Sequence, residues 1–205
     1  MAKLLVATNN PGKIREYEEL LADLLVSLEI TFPAQEGLAL QVDESGATFE
    51  ENARIKALAY ARASGLLTLA DDSGLEVDAL GGAPGVCSAR YAGPGASDAD
   101  RYRKLLGVLA DVPAEQRSAR FRCVVVVARP GGTIHTAEGT CEGEIGFAPR
   151  GDHGFGYDPI FVVAGYGGQT MAELPPDVKN EISHRARAVA AIRPALTRVI
   201  SDSGF

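Results

Sequence analysis

The sequence contains no tryptophan and few residues of the kinds that mark extracellular or zinc-binding proteins. Its only cysteines, Cys87, Cys123 and Cys141, are odd in number and lie far apart without CxxC spacing. This usage argues against a disulfide framework and against a zinc knuckle, and it favours reduced thiols in a packed interior.

Long apolar runs and an excess of positive charge are missing as well. The first apolar run covers about five residues, too short for a signal-peptide core, and no stretch approaches the roughly 20 residues of a membrane span. The formal net charge is -7 and the pI is near 5.0, whereas proteins that bind nucleic acid or anionic membranes usually present a basic face. We therefore expect a soluble cytoplasmic protein that binds neither. An anionic ligand would have to meet locally placed cations, together with a metal.

The residues that are present suffice for one sizeable core, since 46% of the 205 residues are hydrophobic. We predict one domain over 1–200 and a frayed tail at 201–205. Strands and helices alternate early and a hairpin-rich block follows, which predicts a mixed α/β sheet flanked by helices. The pattern predicts strands at 3–7, 26–32 and 66–70, two or three strands within 120–149 and one more at 155–163. It predicts one helix that begins at residue 11 or 13 and three more at 47–65, 98–112 and 183–200. Residues 79–98 are rich in Gly and Pro, and we predict a long functional loop without regular structure.

The segment TNNPGK, residues 8–13, forms the turn between the first strand and the first helix. Pro11 suits a first helical turn, and Asn10 is a capping residue. Lys13 is unfavourable there, because a helix N-terminus already carries partial positive charge, unless an anion lies nearby. The free backbone N–H groups of such a turn bind phosphate in many proteins. The alternative is a surface turn with a solvated lysine, and the segment lacks the P-loop pattern of ATPases.

Asp71 and Asp72 follow an apolar strand, and we expect them at its end. Two adjacent carboxylates near apolar walls are costly unless a cation neutralises them. Mg²⁺ binds carboxylate oxygens together with substrate phosphates, which fits an acidic protein that acts on a polyphosphate. Neighbouring strand residues point to opposite faces, so we expect one of the two to face the site. The alternative is an Asp-Asp-Ser-Gly turn that caps a helix.

Three further segments carry candidate ligand-binding residues. Glu44 precedes a glycine turn and Lys56 lies on the helix that follows. In GFGYDP, Phe155 could stack on a nucleobase and Asp158 could accept hydrogen bonds, although a buried strand start with Phe155 and Tyr157 in the core explains this segment, taken alone, slightly better. His184 and Arg185 follow Ser183, a good N-cap residue, and both could donate to O6 and N7 of a purine. Such donors would reject adenine, whose N6 is itself a donor, but not guanine. The alternative for this pair is a solvated basic helix turn.

Five segments, in this order, carry a family resemblance: ATNNPGK, TFEENARIKA, ADDSGLEVDALGGAPGVCSARYAG, GFGYDPIF and ISHRARA. Together they resemble the inosine triphosphate pyrophosphatase family, whose members hydrolyse ITP, dITP and XTP to the monophosphate and pyrophosphate. The resemblance covers nearly the whole chain. It implies a two-lobed mixed α/β fold with the active site in the cleft between the lobes, dependence on Mg²⁺, and a homodimer.

The resemblance also implies roles for individual residues. Glu44 and Asp72 would hold Mg²⁺, Asp72 would be the general base for water, and Lys13 and Lys56 would meet the phosphates. The other residues of the first half of the chain that it implies as nucleotide contacts are Thr8, Asn9, Asn10, Pro11, Gly12 and Ser73. The residues that it implies for the base and the rest of the nucleotide are Phe155, Gly156, Tyr157, Asp158, Lys179, His184 and Arg185. Asn9 and Pro11 stand where many members have glycine or a small apolar residue.

Two other functions are compatible with parts of the sequence. REYEEL, residues 15–20, is similar to the helix of a Nudix hydrolase, but Leu20 occupies the place of the second glutamate and the upstream glutamate is missing. A non-catalytic purine nucleotide sensor would keep the binding residues. It would not need both Asp71 and Asp72, so the sequence favours an enzyme.

Overall fold

The structure is a computed structural model that describes residues 2–23, 28–132 and 134–202. In these ranges the chain forms the following helices and strands: β1 (Ala2–Val6), α1 (Pro11–Leu20), β2 (Leu28–Thr31), α2 (Phe49–Ser64), β3 (Leu67–Val77), α3 (Asp98–Val108), β4 (Ser118–Ala128), β5 (Ile134–Ile145), β6 (Phe161–Val163), α4 (Pro176–Ile182) and α5 (His184–Asp202). No helix among the described residues is both long enough and apolar enough to cross a membrane.

The described strands form one six-stranded sheet in the order β2-β1-β3-β4-β5-β6. β1 pairs in parallel with β2 and with β3, so that Leu4 lies beside both Ile30 and Leu67, while β5 and β6 are antiparallel. Parallel pairs at one end of the sheet and an antiparallel pair at the other confirm the predicted mixed α/β sheet.

The chain divides into two compact units, each with its own hydrophobic core. Unit 1 comprises Met1–Asp72, Cys123–Gly139 and Arg185–Phe205, and unit 2 comprises Ser73–Arg122 and Thr140–His184. The core of unit 1 is built from apolar residues of β1, α1, β3, β4 and α5, and that of unit 2 from residues of β3, α3, β4, β5 and β6. Strands β3 and β4 therefore contribute residues to both cores. One domain over 1–200 stays a prediction.

The helix boundaries follow the capping residues in the sequence. Thr48 and Glu51 form a capping box at the start of α2, and Gly65 ends this helix in a left-handed conformation with φ 73°. The buried residues of α2 include Phe49, Ala53 and Ala57, whereas Ile55 and Leu58 are only half-buried. Asn52, Tyr60 and Ala61 complete the buried face instead.

Strand β3 does not end before the aspartates, contrary to the prediction. It continues to Val77, so Asp71 and Asp72 lie within the strand and are buried. The physical reason is that both carboxylates have partners: Lys13 and Arg185 pair with Asp71, and an amide binds Asp72. A buried charge that is paired and hydrogen-bonded does not force the chain to leave the sheet.

The segment 79–98 is more ordered than its composition predicts. Two short 3-10 helices, Asp78–Leu80 and Gly85–Arg90, lie in or beside it. The Ser88 hydroxyl accepts the backbone N–H of Leu75 at 2.9 Å and donates to the Gly85 carbonyl at 2.6 Å. The Ser88 side chain therefore adds to the backbone hydrogen bonds of the short helices, a role that no local periodicity reveals.

The C-terminal elements differ in length from their predictions. β6 covers three residues, because a 3-10 helix at Asp158–Ile160 occupies the first part of the predicted strand 155–163. The short helix α4, which begins at a proline, was not predicted. The last helix runs to Asp202, and residues 203–205 of the predicted tail lie outside the described residues, as do residues 26 and 27 of the predicted second strand.

Candidate functional site

The loop that begins the site in unit 1 is fixed by its own side chains. Asn10 caps α1, because its Oδ1 accepts the backbone N–H groups of Gly12 at 2.8 Å and Lys13 at 3.1 Å. The Thr8 hydroxyl in turn accepts the N–H of Asn10 at 3.2 Å. Two of the N–H groups predicted to be free for phosphate are therefore bound by Asn10 in this structure. The predicted helix start at Pro11 is confirmed.

The anion that accompanies Lys13 in this structure is Asp71. The Lys13 ammonium lies 2.8 Å from Asp71 Oδ2, and Arg185 Nη2 lies 3.2 Å from the same oxygen. The other terminal nitrogen of Arg185 pairs with Glu16. Burial by itself would raise the pKa of Asp71, but the charges of Lys13, Arg185 and Lys56 outweigh it and hold this pKa far below its usual range. Asp71 is thus a permanent anion that anchors two cations.

Asp72 has a different environment from its neighbour. Its Oδ2 accepts a hydrogen bond from the Asn52 amide at 3.0 Å, and the residue is 8% exposed. Burial raises the pKa of this carboxyl, although the nearby lysines 56 and 13 oppose the change. A carboxylate with a raised pKa binds protons more strongly, and this makes Asp72 the better general base of the two.

Asn52 was not predicted from the sequence, and it connects two parts of the site. Its Nδ2 donates to Asp72 and its Oδ1 accepts the N–H of Gly46 at 2.8 Å, two residues after Glu44. It is 1% exposed. A Cβ at Gly46 would lie 2.7 Å from Asn52 Oδ1, so glycine is required for this approach. The available signal was a polar residue on the buried face of an otherwise apolar helix stripe.

The two predicted metal ligands, Glu44 and Asp72, form a donor set that suits Mg²⁺. Burial is the main cause of the raised pKa of Asp72, and the charge of Glu44 adds to it, so the two carboxylates repel one another. Within the described ranges no group of three or more His, Cys, Asp or Glu residues could hold a metal. Mg²⁺ commonly binds through one or two carboxylates, substrate phosphates and waters, so two ligands suffice. Glu44 also pairs with Lys56 at 2.7 Å.

The GFGYDP segment of unit 2 folds around its own aspartate. Asp158 Oδ2 accepts the backbone N–H of Phe155 at 2.8 Å and lies 2.5 Å from the Lys179 ammonium. A Cβ at Gly154, where φ is +75°, would lie 2.0 Å from the same oxygen. The hydrogen-bonding capacity of Asp158 that was predicted for the nucleotide is therefore used within the protein at this oxygen.

The two aromatic residues of this segment differ in burial. Tyr157 is buried, and its hydroxyl donates to the Ser88 carbonyl at 2.9 Å. Phe155 is half-buried, with the Lys179 ammonium 4.9 Å from its ring centre. Phe155 is thus the aromatic ring of this segment that a planar ligand could still reach, whereas Tyr157 belongs to the core of unit 2.

The predicted base-reading pair makes protein contacts on both members. His184, in unit 2, is 6% exposed and stacks on Phe121 with ring centres 4.8 Å apart. Arg185, in unit 1, is 1% exposed and holds Glu16 and Asp71 as described above. The alternative of a solvated basic turn is therefore wrong for both residues. Their contact with a base stays a prediction.

The structure assembles most of the predicted residues into two clusters, one in each unit. The cluster in unit 1, the carboxylate–lysine cluster, contains Lys13, Glu44, Lys56, Asp71, Asp72 and Arg185, and Asn52 and Glu16 are its unpredicted members. The cluster in unit 2, the GFGYD cluster, contains Phe155, Gly156, Tyr157, Asp158 and Lys179. Ser73 is half-buried on β3, while Asn9 and Pro11 are exposed in the opening loop.

A sequence model of the Ham1 family matches residues 4–195. The protein belongs to the Ham1 family.

Relatives of known name cover the whole length of this Ham1 chain. A dITP/XTP pyrophosphatase from Desulforamulus reducens is 52% identical over 200 residues, covering 96% of each chain. The protein of the same name from Bacillus subtilis is 47% identical over 196 residues, covering 96% of this chain and 98% of its own. Among solved structures, a HAM1 protein from Coxiella burnetii superposes with a TM-score of 0.86 at 42% identity, covering 97% of this chain and 100% of that one. These matches confirm the predicted family and fold class.

Proposed function

We propose that this chain hydrolyses the non-standard purine nucleoside triphosphates ITP, dITP and XTP to the monophosphate and pyrophosphate. The observation that carries the proposal is the carboxylate–lysine cluster, in which a buried carboxylate with a raised pKa lies beside a permanently charged one. The relatives named dITP/XTP pyrophosphatase, at about half identity over the full length, support the same reaction.

Lys13 and Lys56 would bind the phosphates. Both ammonium groups are already held in place by carboxylates, Asp71 and Glu44, within 2.8 Å. Preorganised cations of this kind stabilise negative charge as it develops on a leaving group. The lysines would therefore take up charge on the departing pyrophosphate, which is the main demand of a phosphoryl transfer on the protein.

Asp72 would accept a proton from the water that attacks the α-phosphorus. The bond between this phosphorus and the bridging oxygen then breaks, and pyrophosphate leaves. Asn52 holds one oxygen of Asp72, which directs the remaining lone pairs of the carboxylate. Glu44 and Asp72 would hold Mg²⁺, which when bound neutralises charge on the phosphate oxygens.

The GFGYD cluster would bind the purine. Phe155 offers the accessible ring for stacking, a contact that is tolerant of base identity. His184 and Arg185 remain the proposed donors to O6 and N7, and they would exclude adenine because its 6-amino group is a donor. The carboxylates now bound to Arg185 would orient its guanidinium plane.

Pyrophosphate release from ITP in the presence of Mg²⁺ tests the proposal, with ATP as the comparison. We expect release from ITP and much less from ATP, and no release after addition of EDTA until Mg²⁺ is restored. Binding of ITP without release of pyrophosphate would contradict the proposal and would indicate the nucleotide sensor.

We also propose a homodimer, located in the cytoplasm. The Gly/Pro-rich segment 81–95 would lie in or beside the two-fold dimer interface, because a symmetric partner would cover a surface segment of this length. All three cysteines are free thiols, which fits a reducing compartment. Light scattering at micromolar concentration tests the dimer, and a mass near the 21.5 kDa of one chain would contradict it.

A further inference from the structure

The backbone of the GFGYD cluster is held by a carboxylate that lies far away in the sequence. Asp98, the first residue of α3, accepts the backbone N–H of Gly156 through its Oδ2 at 2.7 Å, across 58 residues of chain. The preceding N–H, that of Phe155, is bound by Asp158. Both peptide groups beside the Phe155 ring are therefore fixed by carboxylates, one local and one from α3.

Asp98 is not needed to cap its own helix. Ser97 is the N-cap of α3, and Asp100 completes the capping box by binding the Ser97 N–H at 3.0 Å. An acid at position 98 would be favourable for the helix dipole alone, but the dipole does not require a contact with a distant loop. Arg101 binds the other oxygen of Asp98 at 2.5 Å and also donates to the Ala96 carbonyl. This arrangement orients the Asp98 carboxylate toward Gly156.

The contact fixes a backbone conformation that only glycine adopts readily. Gly156 has φ +66°, in the left-handed region. A hydrogen bond to a charged acceptor is stronger than one between neutral groups. The peptide plane between Phe155 and Gly156 is therefore pinned, and with it the direction in which the Phe155 side chain leaves the backbone.

We propose that Asp98 is a positioning residue for purine recognition, because it holds the Gly156 peptide so that the Phe155 ring keeps a fixed orientation. This inference rests on the proposed function of the GFGYD cluster. Asp98 does not touch the reacting groups of the carboxylate–lysine cluster. Its loss should thus weaken binding of the base and raise KM, with much less effect on kcat.

The experiment compares Asp98→Ala with Asp100→Ala, an aspartate in the same helical turn that caps the helix and does not contact the GFGYD cluster. In Asp98→Ala we expect faster hydrogen exchange at the Gly156 amide and a KM for ITP raised by about tenfold or more, the size of one lost charge-assisted hydrogen bond. Asp100→Ala should lower the melting temperature while both of these readouts stay close to wild type. Asp98→Asn keeps an acceptor oxygen, so its KM for ITP should lie much closer to the wild-type value than the KM of Asp98→Ala does.

Each contrary result is separately informative. Unchanged exchange at Gly156, or equal rises in KM for Asp98→Ala and Asp100→Ala, would overturn the positioning role. The affinity for IMP, measured by calorimetry, tests base binding without turnover, and an affinity that Asp98→Ala leaves unchanged would also overturn it. Failure of wild-type protein to release pyrophosphate from ITP would instead contradict the proposed function, while the IMP measurement still decides the role of Asp98.

Discussion

The two units of the molecule use buried charge in different ways. In unit 1, buried carboxylates pair with cationic side chains, as Asp71 does with Lys13 and Arg185. In unit 2, the most buried charged side chain donates its hydrogen bonds to backbone groups, and the buried Asp158 accepts a backbone N–H in addition to its ion pair with Lys179. Arg117, 2% exposed, donates to the carbonyls of Val112 at 2.9 Å, Gly146 at 3.0 Å and Leu109 at 2.5 Å.

The two kinds of contact have different roles, one in the reaction and the other in fixing the course of the chain. An ion pair between side chains can be exchanged for another ion, so the lysines of unit 1 can pass from a carboxylate to a phosphate. A charge that binds backbone groups fixes the course of the chain, and its removal leaves buried polar groups without partners. Substitutions in the carboxylate–lysine cluster of unit 1 should therefore act on turnover, with a cost in stability where they break a buried ion pair, and those in unit 2 on binding geometry and stability.

The largest effect should follow from Asp72→Asn, which keeps the shape of the side chain but removes its charge and basicity. Pyrophosphate release from ITP at saturating Mg²⁺ should fall by about 10²–10⁴-fold, the usual contribution of a general base. The control is Asp71→Asn, which breaks a buried ion pair and should lower the free energy of unfolding by about 3–5 kcal/mol. Circular dichroism shows whether each variant folds. More than about a tenth of wild-type turnover in Asp72→Asn would make Glu44 the better candidate for the base.

Asn52→Ala sharpens the comparison, because it alters no charge in unit 1. It removes the link between Asp72 and the loop that carries Glu44, and the loss of such an outer contact weakens metal binding by about 10–100-fold. Mn²⁺ affinity measured by electron paramagnetic resonance is the readout. Arg54→Ala, on the exposed side of the same helix, is the matched control and should bind Mn²⁺ normally. An Asn52→Ala protein with wild-type affinity for Mn²⁺ would show that the link is dispensable.

Arg185→Ala could break the comparison, because this residue of unit 1 is proposed to read the base. If it does, the variant should lose about 1–3 kcal/mol of transition-state stabilisation, measured as a lower kcat/KM for ITP. ATP should stay a poor substrate. The variant also leaves Glu16 and Asp71 without this cation, so thermal melting must be measured alongside. Unchanged ITP kinetics would remove the base-reading role, and an equal loss with every nucleotide would assign Arg185 to the phosphate side.

The smallest effect on turnover should come from Arg117→Met in unit 2. Three carbonyls, one of them in the buried residue Leu109, lose a charged donor, so the free energy of unfolding should fall by about 1–3 kcal/mol. The kcat for ITP in the folded protein should stay near wild type. Urea denaturation and steady-state kinetics on the same sample check both statements. A kcat well below wild type in protein that is still folded would contradict the separation of roles.

Local patterns predicted those features whose causes are local. The Asn10 cap and the start of α1 at Pro11, one of the two predicted positions, follow from residues within a few positions of one another. The path of β3 through Asp71 and Asp72 was not predicted, because apolar alternation gives no sign of the cations that accompany these two aspartates. Local propensity therefore placed the end of this strand too early in the sequence.

The unpredicted members of the site have partners that are remote in the sequence. Glu16 meets Arg185 across 169 residues, and Asp98 meets Gly156 across 58. Neither Glu16 nor Asp98 is unusual where it stands, since an acid on a helix surface or in a first helical turn needs no special reason. Only the tertiary fold reveals what their carboxylates bind.

The burial of two cysteines makes the third a selective chemical probe without prior mutagenesis. Cys123 and Cys141 are buried, and burial raises the pKa of the Cys123 thiol, so it reacts poorly with alkylating reagents. Cys87 is exposed, in the short helix whose Ser88 carbonyl accepts the Tyr157 hydroxyl. A thiol reagent should therefore label Cys87 selectively. Cys87 also lies within segment 81–95, which the proposed dimer interface would cover, so this labelling should slow as the protein concentration rises and the dimer forms.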